Sequence, residues 1–288
     1  MTSRRHFLLG LGASALAPLA LRALPAMERL EMTGSDGAPL RGVGVQLYML
    51  REAMRTDPEG TLARIAQTGF TEVEWWGRWG RTPQQLRATL DAHGLRSPSA
   101  HFGLDDLLPD RLPAVLEAAE VMGQRTLIVA STTKAQNGTL EAWQRTAAAL
   151  TAAGRTAAAR GIRVGYHNHD YEFQRVGDQT LIEILLAETD PAVVDLELDC
   201  FWAFKAGQDP IAFLTRYRDR ITMLHVKDST AAPEYAQRDV GAGVIDWRAL
   251  LRTALAGRVA HLYVEHDAPA DAWATAKAGR TYLQSIGY

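Results

Sequence analysis

With 288 residues, 47% of them apolar, the chain can bury a large core, enough for one barrel domain or two small ones. Its formal net charge is −2; setting aside residues 1–26, which carry Arg4, Arg5 and Arg22 and no acid, leaves 28 basic against 33 acidic residues, or −5. A mildly acidic body has no general attraction for phosphate backbones, which argues against a nucleic-acid partner. The single cysteine, Cys200, excludes an intramolecular disulfide.

The chain opens on Ser3-Arg4-Arg5-His6-Phe7-Leu8, followed by a weakly apolar run interrupted by Gly10, Gly12 and Pro18. From residue 7 to residue 21 this run is too short to cross a bilayer, which takes about 20 residues. A charged start, a short apolar stretch and small residues near 23–26 describe a cleaved signal rather than a stable membrane anchor. The paired arginines resemble the twin-arginine export signal. Residues 1–26 are thus expected to be a signal peptide, 27–41 a polar leader, and 42–288 the folded domain, in the periplasm or otherwise exported.

From Gly42 onward, short β-rich runs alternate with longer stretches of helical period. Strands are expected over 43–49, 71–76, 97–102, 125–130, 162–167, 194–199, 221–226 and 260–265. The intervening helices carry start and stop signals. Asp57-Pro58-Glu59 supplies a cap, a proline at the first helical position and an early acid, and Gly69 closes that helix. Thr82-Pro83, Asp209-Pro210 and Pro269-Ala270-Asp271 open others, and the Ala-rich 140–160 ends at Gly161. Eight β-then-α units in one run imply a single closed parallel (β/α)8 TIM barrel. The doubly wound alternative begins with a glycine-rich phosphate loop, whereas here VQLYMLRE follows Gly44.

In such a barrel the chemistry gathers at the C-terminal ends of the strands. Those ends hold Gln46 and Tyr48; Glu74 and Trp76; His101; His167, Asn168, His169, Asp170 and Glu172; Asp199 and Trp202; His225, Lys227 and Asp228; and Glu265, His266 and Asp267. Strand four, ending LIVAS, contributes little. Five of the eight histidines fall at these ends. His167 and His169, two apart, share one face. With Asp199, His225 and Glu265 from the next three strands, His167 completes a quartet able to converge on one ion. Two imidazoles and two carboxylates suit Mn2+, Zn2+, Co2+ or Fe2+ better than Ca2+ or Mg2+. Glu74 and His101 are candidate ligands for substrate hydroxyls, or buried and paired. Trp76 and Trp202 are candidates for stacking on a sugar face, or core. Asp246 reads as the cap of a helix beginning at Trp247.

The phrases YHNHDYEF (166–173), LDCFWAFKAGQDP (198–210), HVKD (225–228), VGAGVIDW (240–247) and YVEHD (263–267) resemble the xylose isomerase-like barrel superfamily, and within it the sugar phosphate isomerases/epimerases. The resemblance covers Gly42 to the C-terminus. It implies one metal ligand from each of strands five to eight, at His167, Asp199, His225 and Glu265. In the epimerases the strand-five ligand is a glutamate, and two metal-bound glutamates work opposite faces of one carbon; His167 breaks that symmetry. The YHNHD segment is similar to the branch holding 3-keto-glycoside lyases. There His169 would be a base, or replace His167 as ligand. Glu172 would orient its neighbours, and Lys227 would pair with Glu265 or Asp228 or bind a substrate hydroxyl.

The expected activity is therefore metal-assisted proton abstraction beside a carbonyl of a sugar or keto-sugar. Glu265 or a strand-five histidine moves the proton, and β-elimination or hydrolysis of a keto-glycoside is favoured over isomerisation or epimerisation of a free ketose. Two rivals are a related nuclease, which the charge disfavours, and a non-enzymatic periplasmic sugar-binding protein, which would keep the aromatic residues without the metal quartet.

Overall fold

The computed structural model describes residues 40–77 and 79–288. The expected signal peptide, and the leader up to residue 39, lie outside the described residues. Among the described residues no helix is long and apolar enough to cross a membrane.

Eight strands form one parallel sheet: β1 (Gly42–Gln46), β2 (Glu72–Glu74), β3 (Ser99–Gly103), β4 (Thr126–Ser131), β5 (Arg163–His167), β6 (Val194–Asp199), β7 (Ile221–Val226) and β8 (His261–Val264). Every expected run overlaps its strand, with ends displaced by a few residues at most. In space the order is β2-β1-β8-β7-β6-β5-β4-β3, so each strand lies beside its chain neighbour and β1 pairs with β8. The ring closes between β2 and β3 only through two isolated parallel bridges, Glu72 to Arg96 and Trp75 to Ala100. This is a TIM barrel with one thin seam.

Local chemistry sets the helices. The Asp57 carboxylate accepts the Gly60 N–H at 2.9 Å ahead of helix Pro58–Gln67. Thr82 and Gln85 form a reciprocal capping box on helix Pro83–Ala92. Helix Leu112–Met122 stops at Gly123, whose φ of +78° is the left-handed conformation open to glycine. Asp246 accepts the Ala249 N–H at 3.0 Å and caps helix Trp247–Leu255.

Alternation along the strands divides the apolar residues into two cores. A large one, with Val45, Val73, Leu127, Val129, Val164, Leu196, Leu198 and Leu224, lies on the strand faces turned toward the helices. A separate small one, Ile128, Met223 and Tyr263, fills the barrel interior. These three are in phase with His101, His225 and Glu265, because Ile128 pairs with His101 and the other two precede His225 and Glu265 by two residues. The polar residues above them therefore point into the barrel mouth. Gly44 permits the tight wall here: a Cβ at that position would meet the Tyr263 ring at 2.7 Å and the Glu72 carbonyl at 2.8 Å.

Candidate functional site

The strand ends build two tiers of ionisable side chains that share His225. In the deeper tier Glu74 is fully buried, and its carboxylate accepts from Gln46 Nε2 at 2.8 Å and Ser99 Oγ at 2.6 Å. It also meets His225 Nε2 at 2.6 Å and His101 Nε2 at 2.9 Å. Glu197, one strand residue pair below Asp199, lies 2.7 Å from His101 Nε2, 3.0 Å from His167 Nδ1 and 3.2 Å from His225 Nε2. Three imidazoles and two carboxylates thus pack together, all buried except His101, which is half-buried at the cavity edge. Burial would lower the His101 pKa, but Glu74 and Glu197 outweigh it and raise it to about 9. His167 goes the other way: burial and the neighbouring His225 hold it well below its ordinary value.

The upper tier is Asp199, His225 and Glu265, all buried. One donor atom from each lies within 4.8 Å of the others, a grouping that can hold a metal ion; His101, His167, Glu197 and His225 form a second such group beneath it. Asp199 does two jobs. Its Oδ1 accepts the Trp202 N–H at 2.9 Å and caps helix Cys200–Lys205, which turns Oδ2 to the site. His225 Nδ1 is 2.7 Å from Glu265 Oε2. Lys227, 1% exposed, inserts its ammonium among the acids, 2.9 Å from Asp199 Oδ2, 2.8 Å from Glu265 Oε2 and 2.9 Å from Asp267 Oδ1. Burial opposes that charge, yet the three carboxylates hold Lys227 well above its ordinary pKa. Burial would raise Glu265, but Lys227 and His225 keep it well below the usual carboxylate range.

Two orphaned atoms test whether a cation fits. Asp199 Oδ2, although 2.9 Å from the ammonium, accepts no hydrogen bond of sound geometry, and His169 Nδ1 is buried with no partner. Buried polar atoms are rarely left unmatched without a reason. Burial, with the charge of Lys227, lowers His169 to about 4, so its imidazole is neutral and can donate a lone pair. The donor set of imidazole nitrogen and carboxylate oxygen fits a first-row divalent cation.

Of the expected quartet, the structure brings Asp199, His225 and Glu265 together. His167 sits with the deeper tier, its Nδ1 on Glu197 and its Nε2 3.8 Å from Asp199 Oδ2. The loop after β5 explains the placing of His169. Asn168 grips the Asp199 backbone in both directions, at 3.0 and 3.3 Å. Glu172 accepts the His169 N–H at 2.8 Å and the Tyr166 hydroxyl at 2.7 Å. His169 then stacks on Tyr171, with ring centroids 5.8 Å apart. Glu172 is fully buried with both oxygens engaged, so it shapes this loop rather than facing the mouth.

Glu74 is wholly enclosed and paired, whereas Trp76 and Trp202 are half-buried at the mouth. Trp76 packs edge-on against Tyr48 at 5.0 Å, and Lys205 lies 4.4 Å over the Trp202 ring. Trp75 belongs to the core. His266 stays on the rim, its Nδ1 accepting the Ala268 N–H at 3.2 Å. Asp228 makes no ion pair with Lys227; its carboxylate gathers the N–H groups of the 241–247 loop. Glu197 is the site residue that a reading of final strand positions passes over. Its signal is the alternation in VDLELD, which turns Glu197 and Asp199 to the same face.

A family model described as xylose isomerase-like TIM barrel matches residues 62–285. An inosose dehydratase of Lacticaseibacillus casei is 28% identical over 193 residues, covering 59% of this chain and 63% of that protein. The inosose dehydratase of Salmonella typhimurium strain LT2 is 27% identical over 189 residues, 58% of this chain and 61% of the relative. The chain thus spans less than two thirds of the length of these relatives. Among solved structures, a sugar phosphate isomerase/epimerase from Parabacteroides distasonis superposes with a TM-score of 0.70 at 24% identity, covering 90% of this chain and 98% of that one. The IolI protein with a bound zinc atom gives 0.67 at 15% identity, over 85% and 97%. At these identities the structural matches speak to the fold.

Proposed function

Because the chain belongs to the xylose isomerase-like TIM-barrel family, we propose that it is a divalent-metal-dependent enzyme that eliminates a substituent from a keto-sugar, with a keto-glycoside as the favoured substrate. The observation that carries the reading is the convergence of Asp199, His225 and Glu265, with His225 Nδ1 2.7 Å from Glu265 Oε2 and 4.0 Å from Asp199 Oδ2, while the buried His169 Nδ1 is left without a partner. Asp199, His225 and Glu265 would hold the cation, and His169 rather than His167 would complete the set. Bound there, a divalent cation supplies Lewis-acid polarisation of the substrate ketone.

The chain's own residues divide the proton work. Glu265 is ionised, and both His225 and Lys227 hold it through Oε2; Oε1 carries no hydrogen bond among the described residues and takes the proton from the carbon beside the ketone. That C–H pair becomes the new C=C bond as the C–O bond two atoms from the carbonyl breaks, and its electrons leave on oxygen. His101, protonated at neutral pH with Nε2 held by Glu74 and Glu197, returns a proton to the departing oxygen. Lys227 offsets the negative charge that builds beside Asp199 and Glu265.

The inosose dehydratases provide the second reading: the same elimination with water leaving from a cyclic ketone. Incubation in deuterium oxide with a 3-keto-glycoside, an inosose and a free ketose separates the outcomes. Release of aglycone with an unsaturated keto-sugar, or its hydrate, supports the proposal. Deuterium at an inverted carbon of an intact ketose, with no elimination from either other substrate, rejects it. We also propose export before action, from Arg4-Arg5 and the short apolar run that follows. Replacing both arginines by lysine should retain the precursor in the cytoplasm, and unchanged export would refute the twin-arginine reading.

A further inference from the structure

A cavity of about 640 Å³ opens beside the site, along the seam where β2 and β3 are joined only by isolated bridges. It runs from the strand ends to the gap between helices Pro83–Ala92 and Leu112–Met122. His101 and Trp76 are shared with the mouth of the barrel, while Asp199, His225 and Glu265 do not line it. The volume falls in the range of small-molecule pockets, about 300–1,000 Å³. The cavity is therefore a flank, distinct from the cation group and contiguous with the proposed acid.

The lining says what belongs there. Its floor is apolar, from buried Leu86, Val115 and Met122, and its upper wall carries the rings of Trp76 and Phe102. Among the described residues the polar groups along its inner wall are already engaged, while Gln84, Glu117 and Ser131 stand on its exposed rim. The Trp75 indole N–H donates to the Gly77 carbonyl at 2.7 Å, and Gln124 Nε2 donates to Ser97. Arg81 is held bidentate by Glu59, at 2.6 and 3.1 Å, so it is not free for a phosphate or carboxylate. A second sugar ring would lose the hydrogen bonds its hydroxyls make to water and find few in return. A flat apolar ring loses little and gains stacking area. The barren end of β4 fits the same picture: Ala130 and Ser131, with Gly77 and Gly103, keep the passage from the mouth open.

We propose that this cavity is a leaving-group subsite that takes an uncharged, flat aromatic aglycone while the sugar ring sits over the cation group; this rests on the keto-glycoside reading. His101 stands where the two compartments meet, next to the glycosidic oxygen that departs with the aromatic portion.

The test has a binding arm and a turnover arm, both on the intact chain. Naphthol serves as probe in calorimetric titration. Ala118→Trp, and independently Val121→Phe, fill the cavity from the helix side, with far-UV circular dichroism as the fold control. Saturable binding of naphthol is expected, weakened by about tenfold or more in each folded variant, equivalent to ~1.4 kcal/mol. No saturable binding, or binding unchanged in both folded variants, overturns the proposal. In turnover, the ratio of kcat/KM for a naphthyl keto-glycoside to that for the methyl keto-glycoside should fall by a similar factor. An unchanged ratio overturns the leaving-group role. Naphthol binding as expected without turnover of either glycoside overturns that role and the keto-glycoside reading together, and leaves an aromatic-ligand site standing.

Discussion

Lys227 Nζ lies 2.9 Å from Asp199 Oδ2, both groups sealed from solvent at the centre of the barrel mouth. An ammonium between two carboxylates in such a place is a resident counter-charge. Removing it leaves Asp199 and Glu265 uncompensated. Lys227→Met should destabilise the metal-free protein by about 3 kcal/mol, the cost of stranding a buried charge. A divalent cation can neutralise the same carboxylates, so the loss should shrink when metal is present. Thermal denaturation of both proteins with and without added Zn2+ or Mn2+ reads this out, and an equal loss under the two conditions would contradict it.

Metal content should follow the geometry of the upper tier. Asp199→Ala and His225→Ala are expected to lose the ion while keeping a folded barrel. Between the strand-five histidines, His169→Ala should reduce metal affinity by about 10- to 100-fold or more. His167→Gln should have a smaller effect, because His167 Nδ1 is turned to Glu197. Elemental analysis after dialysis decides between them. If His167→Gln emptied the site and His169→Ala did not, the fourth ligand would be His167, as the family resemblance implies.

The contrast between those histidines shows where the sequence stops being informative. The barrel was legible because its punctuation is local: Asp57-Pro58, Thr82-Pro83, Asp209-Pro210 and Asp271 each cap a helix within four residues of themselves. The gathering of Asp199, His225 and Glu265 was legible because strand ends in a barrel face one mouth. The choice between His167 and His169 was not, since both share a face by alternation. Where each ring lies depends on contacts distant in sequence, His167 on Glu197 and the loop of His169 held by Asn168, which is clamped to the Asp199 backbone 31 residues on. Glu197 was hidden for a simpler reason: it lies two residues before the end of its strand, deeper in the barrel than the mouth where strand-end chemistry gathers. The flanking cavity depends on helix spacing across a weak seam, which no local pattern encodes.

Glu172 gives a pH-dependent signature. Burial raises its pKa to about 7, against hydrogen bonds from Tyr166 and His169 that favour the charged form. The folded value lies above the 4.5 of an ordinary glutamate, so ionisation is costly in the fold. The cost is absent below about pH 4.5, grows as pH rises toward 7, and is complete above it. Glu172→Gln carries no charge at any pH, and loses one acceptor throughout. Its stability deficit relative to wild type should therefore narrow as pH rises, in urea denaturation at about pH 5 and pH 8. A deficit that widens with pH would mean the two donors favour the carboxylate more strongly than burial disfavours it.

Asp228 makes the loop after β7 depend on a single carboxylate. One oxygen accepts the N–H groups of Gly241 at 2.8 Å and Gly243 at 3.2 Å and the Trp247 indole N–H at 2.9 Å; the other accepts Ser229 at 2.8 Å and Ile245 at 3.2 Å. A Cβ at Gly243 would lie 2.2 Å from this carboxylate, so the glycine there is a condition of the arrangement. The same loop carries Gln237, which donates to Asp267 and accepts the Asp267 N–H at 2.8 Å, and Asp267 in turn holds Lys227 at 2.9 Å. Asp228→Asn puts donor hydrogens where only acceptance is possible, and should cost about 3 kcal/mol of stability. Because the loop reaches Lys227 through Gln237 and Asp267, and reaches none of Asp199, His225 or Glu265 directly, metal content should stay near wild type while kcat falls. Gly243→Ala should do the same through the steric route. Elemental analysis alongside steady-state kinetics checks both variants. Loss of the ion in parallel with activity would show that the loop supports the cation group itself, and full activity in both would show that Lys227 is positioned without it.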